Sequence, residues 1–154
     1  MQSEGPIENF SEGLFSADEV HKIAVLDIRM FNLDRNVCNI LVKSEQGANG
    51  KTVRSLVPID HGLTIPETLE VCSYDIAWLS FSQASEAFSQ KTLEYIESLD
   101  IMGDIKMLEN NFKFRPICLR NMRISSMLLK HAAKEGLTLE QIGQIMCRPD
   151  EDDT

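Results

Sequence analysis

Two short segments carry the residue types that could do chemistry. Leu33-Asp34-Arg35-Asn36-Val37-Cys38-Asn39 sets an acid and an amide five positions apart, and Ile59-Asp60-His61-Gly62 closes an apolar run with a second acid. An acid, an amide and a further acid are what phosphoryl transfer from a nucleotide to a hydroxyl requires. One Asp orients or deprotonates the acceptor hydroxyl, while an Asn and another Asp hold the magnesium ions that neutralise the phosphates. In that assignment Asp34 works at the acceptor, and Asn39 and Asp60 hold metal and nucleotide. Taken alone, Asp34 and Asn39 could equally cap turns, which both residue types favour. The order of helix, Asp-to-Asn loop, hairpin and Asp-X-Gly is what lifts the pair above turn chemistry. Gly62 lets the chain turn where a side chain would clash, and His61 reads as a packing residue without chemistry.

These residues are useful only if the chain brings them together. Ser16-Ala17-Asp18-Glu19 has the pattern of a capping box, so a helix is expected from about Ala17 to Met30. Its apolar content on several faces marks it as central. Ile40-Leu41-Val42 and Val53 to Ile59 are β-rich runs separated by the turn cluster Gln46 to Gly50. They form a hairpin with Asn39 at its start and Asp60 at its end, bringing two oxygen ligands to one edge as a magnesium site needs. Lys43 and Lys51 flank its turn and read as exposed. Downstream, Ser89 caps a helix through Leu99, another runs from about Asp100 to Phe112, and Pro116 opens a long helix stopped by Gly136. Thr138-Leu139-Glu140-Gln141 is a second capping box ahead of a last helix to about Cys147. The class is α+β, mostly helical, with a small β-hairpin. Residues 1–15 read as a loop or fraying arm, and 149–154 as an acidic tail.

Composition narrows the partners. The 154 residues suffice for one core, and the formal charge of -9 argues against nucleic acid as a partner. No apolar run approaches a membrane span, and no hydrophobic stretch follows the acidic N-terminus. An intracellular, cytoplasmic setting is expected, with peripheral membrane contact still open. Cys38, Cys72, Cys118 and Cys147 include no C-x-x-C pair, so free thiols suit the chain better than a disulfide frame. Arg115, Arg120, Arg123 and Lys130 read as a solvated helix face. Trp78, Phe81 and Phe88 read as core, as do Met102, Met107, Met122, Met127 and Met146.

At these residues the chain resembles the catalytic half of the plant gamma-type phosphatidylinositol 4-kinases, in the PI3/PI4-kinase superfamily. The resemblance is carried by HKIAVLDIR at residues 21–29, by LDRNVCNILV, by LVPIDHGLTIPETLE and by the later TLEYIESLD and LRNMRISSMLLKHAAKEGLTLEQIGQIMCR. It runs from about Phe15 to Arg148. It implies that residues 16–148 are a partial catalytic domain, the larger and mainly helical C-lobe. Asp34, with Asn36, would then sit in the catalytic loop, Asn39 and Asp60 would be the magnesium ligands, and residues 60–79 would form the activation loop. The implied reaction passes the γ-phosphate of ATP to the inositol 4-hydroxyl, with Mg2+ as cofactor and phosphatidylinositol or a protein hydroxyl as acceptor.

Three departures stand out. The family's loop usually reads Asp-Arg-His, and Asn36 occupies the histidine position; an amide donates a hydrogen bond but carries no proton at neutral pH. Cys38 stands where glycine is usual, which implies a stiffer or displaced loop. No glycine-rich loop and no strand with an ATP-anchoring lysine precede the catalytic loop. A lobe supplied in cis by a longer chain is therefore expected, or else a catalytically inactive fragment that serves as a binding and regulatory module. A lone C-lobe should also expose apolar surface around Ile40, Leu41 and Leu56.

Overall fold

The computed structural model describes residues 3–47, 49–71 and 76–147. Helix α1, Ala17–Met30, runs through the centre with Val20, His21, Ile23, Ala24, Val25, Asp27 and Ile28 buried. Ser16 takes the N-cap position, yet its side chain makes no capping bond. The expected box is absent because Glu19 is drawn elsewhere. Its carboxylate accepts the Leu56 amide at 2.7 Å and pairs with Lys22 at 2.8 Å, so it ties the helix to the sheet.

The hairpin forms as its residues dictate. Strands β2, Ile40–Gln46, and β3, Thr52–Pro58, pair antiparallel with Ile40 opposite Pro58 and Gln46 opposite Thr52. A third strand was not expected. Ser3–Pro6 forms β1 along the outer edge of β2, followed by 3-10 turns at Ile7–Asn9 and Glu12–Leu14. Residues 3–15 are therefore not a loose arm. The buried Gln83 amide donates to the carbonyls of Glu12 and Phe15, and Ile7 and Phe15 enter the core.

Four helices complete the body. They are α2, Gln90–Ser98, α3, Ile101–Asn111, α4, Pro116–Lys134, and α5, Leu139–Met146. Ser89, Asp100 and Thr138 each cap the helix that follows, and Gln141 returns the bond in a full capping box. Gly136 ends α4 with φ 76°. The result is a mostly helical α+β fold with a small antiparallel sheet.

The main core joins Ile23, Ile28, Val42, Leu56, Trp78, Leu129 and Ile142. A second cluster around Ile105, Leu108, Leu119 and Met122 seats α3 on α4. Arg29 fastens α1 to this unit, donating to Asp104 at 2.5 Å and to the Tyr95 hydroxyl at 3.3 Å. Burial opposes its charge, but Asp104 and Tyr95 outweigh it and hold the guanidinium above its ordinary pKa.

Several packing expectations are corrected. Ile40 and Leu56 are buried, so they form no open patch; the outward residues near them are Val53, Val57 and Ile59. The sheet alternates, and Ile40 and Leu56 fall on the face turned to α1. Met122 is core as expected, whereas Met102, Met107 and Met127 are exposed at 55%, 48% and 40%. Cys38 and Cys118 are free thiols. Cys72 and the acidic tail at residues 150–153 lie outside the described residues. No helix among the described residues is long and apolar enough to cross a membrane.

Candidate active site

The loop after α1 begins with a left-handed turn. Phe31, buried at φ 48°, closes the helix with its amide shared between the carbonyls of Asp27 and Ile28. Asn32 then donates from its side chain to Asp27 Oδ1 at 3.0 Å and accepts the Asp34 amide at 3.1 Å. Asp34 is thus placed by a local relay that starts inside the helix.

Its carboxylate is held from one side by two amides. Asn36 Nδ2 donates to Asp34 Oδ1 at 2.7 Å; Asn39 Nδ2 donates to the Asp34 carbonyl at 3.1 Å and lies 3.5 Å from Oδ2. Asn36 is occupied at both ends, because its Oδ1 accepts the Cys38 amide at 3.0 Å and caps the 3-10 turn Val37–Asn39. Asn36 thus holds the Asp34 carboxylate from one side while its own oxygen is fixed by the turn. Cys38 fits this turn without a positive φ and is exposed.

Asn39 and Asp60 meet through the sheet register. The Ile59 amide donates to the Asn39 carbonyl at 3.0 Å, which puts Asp60 one residue beyond the pair. Asp60 is exposed and left-handed at φ 50°, and its Oδ1 accepts the Gly62 amide at 3.2 Å. Gly62 itself has no positive φ. Its value is steric, since an added Cβ would sit 3.3 Å from Asp60 Oδ1. A third left-handed residue, Ile65 at φ 52°, ends this stretch with its amide on the Met30 carbonyl at 2.8 Å. Three non-glycine residues in that sparsely allowed region bracket one loop pair, as happens where function over-determines the backbone.

Arg35 is the residue that sequence reasoning passed over. It is fully buried, and all five of its N–H groups are used. Nε and Nη2 donate to the Asp27 carboxylate at 2.9–3.1 Å, Nη1 to the carbonyls of Asn39 at 2.7 Å and Ile59 at 2.6 Å, and Nη2 also to His61 Nδ1 at 3.1 Å. Asp27 Oδ2 further accepts Trp78 Nε1 at 3.1 Å. One side chain thus clamps the backbone beside both metal-ligand candidates. His61 is exposed and bonded to Arg35, so it is a tether and not a packing residue. The available signal was Asp27: an acid on the buried face of a helix demands a partner.

The donor set suits a hard cation. Asn39 spends its amide nitrogen on Asp34, which leaves its oxygen, and Asp60 offers an exposed carboxylate. Oxygen donors of this kind match magnesium.

The sequence model of the family described as "Phosphatidylinositol 3- and 4-kinase" matches residues 2–142. The chain belongs to this family. The match takes in β1, which extends the likeness toward the N-terminus beyond Phe15. Among curated relatives, the chain is similar to phosphatidylinositol 4-kinase gamma 3 of Arabidopsis thaliana, at 48% identity over 94% of this chain and 24% of the relative. It is similar to gamma 2 of the same plant, at 45% over 96% and 26%, and to gamma 4 of Oryza sativa subsp. japonica, at 43% over 96% and 25%. The chain spans about a quarter of the length of these relatives. Kinase-type transfer is the chemistry that the phosphatidylinositol 3- and 4-kinase family brings.

Proposed function

We propose that this chain supplies the acceptor-side and metal-ligand half of a phosphatidylinositol 4-kinase, which passes the γ-phosphate of ATP to the inositol 4-hydroxyl. The observation that supports the reading is the Arg35 clamp, which ties the backbone of Asn39, itself bonded to Asp34, to that of Ile59 next to Asp60. Asp34 orients the acceptor hydroxyl and takes up its proton as the O–P bond forms. Asn36 fixes the carboxylate that does so. Asn39 and Asp60 would hold magnesium, whose charge offsets that of the phosphates. Catalysis of this kind is mainly positioning, so the nucleotide needs a second wall facing Asn39 and Asp60.

A second reading has a specific observation behind it. Asn36 is locked between Asp34 and the Cys38 amide, so it shuttles no proton. On that reading the chain is an inactive binding or regulatory module. One experiment separates the readings: incubate the full-length protein and its Asn36→His variant with γ-labelled ATP, magnesium and phosphatidylinositol micelles. Labelled lipid is expected, with the variant faster by about a hundredfold, the lower end of what an acid-base group supplies. Label on protein instead would move the acceptor to a Ser or Thr hydroxyl. No transfer by either protein would leave the binding module standing.

A further inference from the structure

Charge is distributed very unevenly along this acidic chain. Residues 106–130 hold six of its 15 basic residues, Lys106, Lys113, Arg115, Arg120, Arg123 and Lys130, and one of its 24 acidic ones, Glu109. Lys130 is spent on the carbonyls of Glu97 and Leu99, at 2.7 and 2.8 Å. Lys113, Arg115, Arg120 and Arg123 are exposed, and they lie in the α3–α4 link and on the first two turns of α4.

The same link exposes aromatic rings. Phe112 is 57% and Phe114 37% exposed, with ring centroids 6.2 Å apart. The other five phenylalanines are buried or packed against the core. The link thus presents an aromatic pair to solvent, with Lys113 between the two in sequence and Arg115 after them. Leu63 and Leu69, 56% and 45% exposed, stand in the loop after Asp60. Arg115 pairs with Glu67, and Asn121 donates to the Pro66 carbonyl at 3.2 Å, so this loop is fastened to the start of α4.

We infer that the α3–α4 link and the outer face of early α4 form a docking surface for an anionic lipid bilayer. Exposed apolar side chains among cations are the pairing that holds a protein at a charged membrane interface, each element being too weak alone. An acidic chain is repelled by such a surface except where its charge is locally reversed, as Lys113, Arg120 and Arg123 reverse it here, Arg115 being offset by Glu67. The docked face is continuous with the loop that follows Asp60, so the bilayer would lie against the acceptor side. The inference deepens the lipid-kinase reading and rests on it only for that orientation.

The test is sedimentation of the full-length protein with vesicles, without ATP, comparing phosphatidylserine-containing with pure phosphatidylcholine membranes. Binding is expected to the anionic vesicles and to fall as salt rises. The Arg120→Gln/Arg123→Gln pair should weaken it about 25-fold, from about fivefold per cation. The Phe112→Ser/Phe114→Ser pair should weaken it about tenfold, and circular dichroism should be unchanged because all four side chains are exposed. Undiminished binding of both double variants overturns the inference, as does equal binding to neutral vesicles or no binding to either. Salt-sensitive capture of an acidic protein without vesicle binding would assign the surface to a protein and overturn it too. Vesicle binding without lipid phosphorylation would keep this inference and sink the kinase reading.

Discussion

Arg35→Met is expected to lower the unfolding free energy of the domain by about 3–5 kcal/mol, the usual cost of breaking a buried ion pair by removing one partner. The arginine is 0% and Asp27 2% exposed, so the carboxylate left behind has no water to turn to. Asn32 and Trp78 still donate to it, but neither carries charge. The carbonyls of Asn39 and Ile59 also lose their side-chain donor. Domains have only about 5–15 kcal/mol in total, so the loss is a large part of the whole. Urea unfolding checks it. The cycle closed with Asp27→Asn supplies the internal control, because the double variant should be less destabilised than the two singles combined. A change under about 1 kcal/mol for Arg35→Met would show that the clamp contributes little.

Asp60→Asn is expected to abolish phosphotransfer by the full-length protein, by a factor of about a thousand or more, while leaving the fold intact. The two halves of this expectation have separate causes. Asn is nearly isosteric and tolerates the left-handed region as Asp does, so φ 50° is kept. The amide oxygen still accepts from Gly62, so the local turn survives. What is lost is the negative charge that would hold the cation at the nucleotide's phosphates. Lipid labelling measured beside the thermal midpoint reads both halves at once. Retained turnover with an unchanged midpoint would remove Asp60 from the metal site.

The parts of this molecule that could be read from sequence are those whose signals are local. Thr138 with Gln141, Ser89, Pro116 and Gly136 marked helix ends by backbone needs that lie within a few residues. The hairpin was readable because its apolar runs and turn sit side by side, and its register then placed Asn39 beside Ile59, one residue before Asp60. Strand β1 was not, since it joins the sheet through main-chain bonds along β2 while its own residues, Ser, Glu, Gly and Pro, spell a loop. Glu19 was misassigned for the converse reason: a distant amide on Leu56 outbid the local cap. Asp34 and Asn39 were visible by type and spacing. The Asp27–Arg35 pair was not, because it requires knowing that the chain doubles back eight residues later into the same buried space. Surface methionines such as Met102 and Met107 share the helical spacing of core ones, so spacing alone cannot place them.

The geometry around Arg35 also governs how the site opens. Its bonds reach α1 at Asp27, the 3-10 turn at Asn39, the end of β3 at Ile59 and the loop at His61, and its own carbonyl accepts the Ala77 amide at 2.7 Å. No one of these segments can part from the others without exposing a charge or orphaning a carbonyl, so they open together. The amides of Ile59 and Ala77, eighteen residues apart, are accordingly expected to share one hydrogen-exchange free energy close to that of global unfolding. The hairpin tip, where Gly50 donates to the Gly47 carbonyl, should exchange by local fraying instead. The sheet would thus be divided into a rigid end beside the Arg35 clamp and a loose end at its turn.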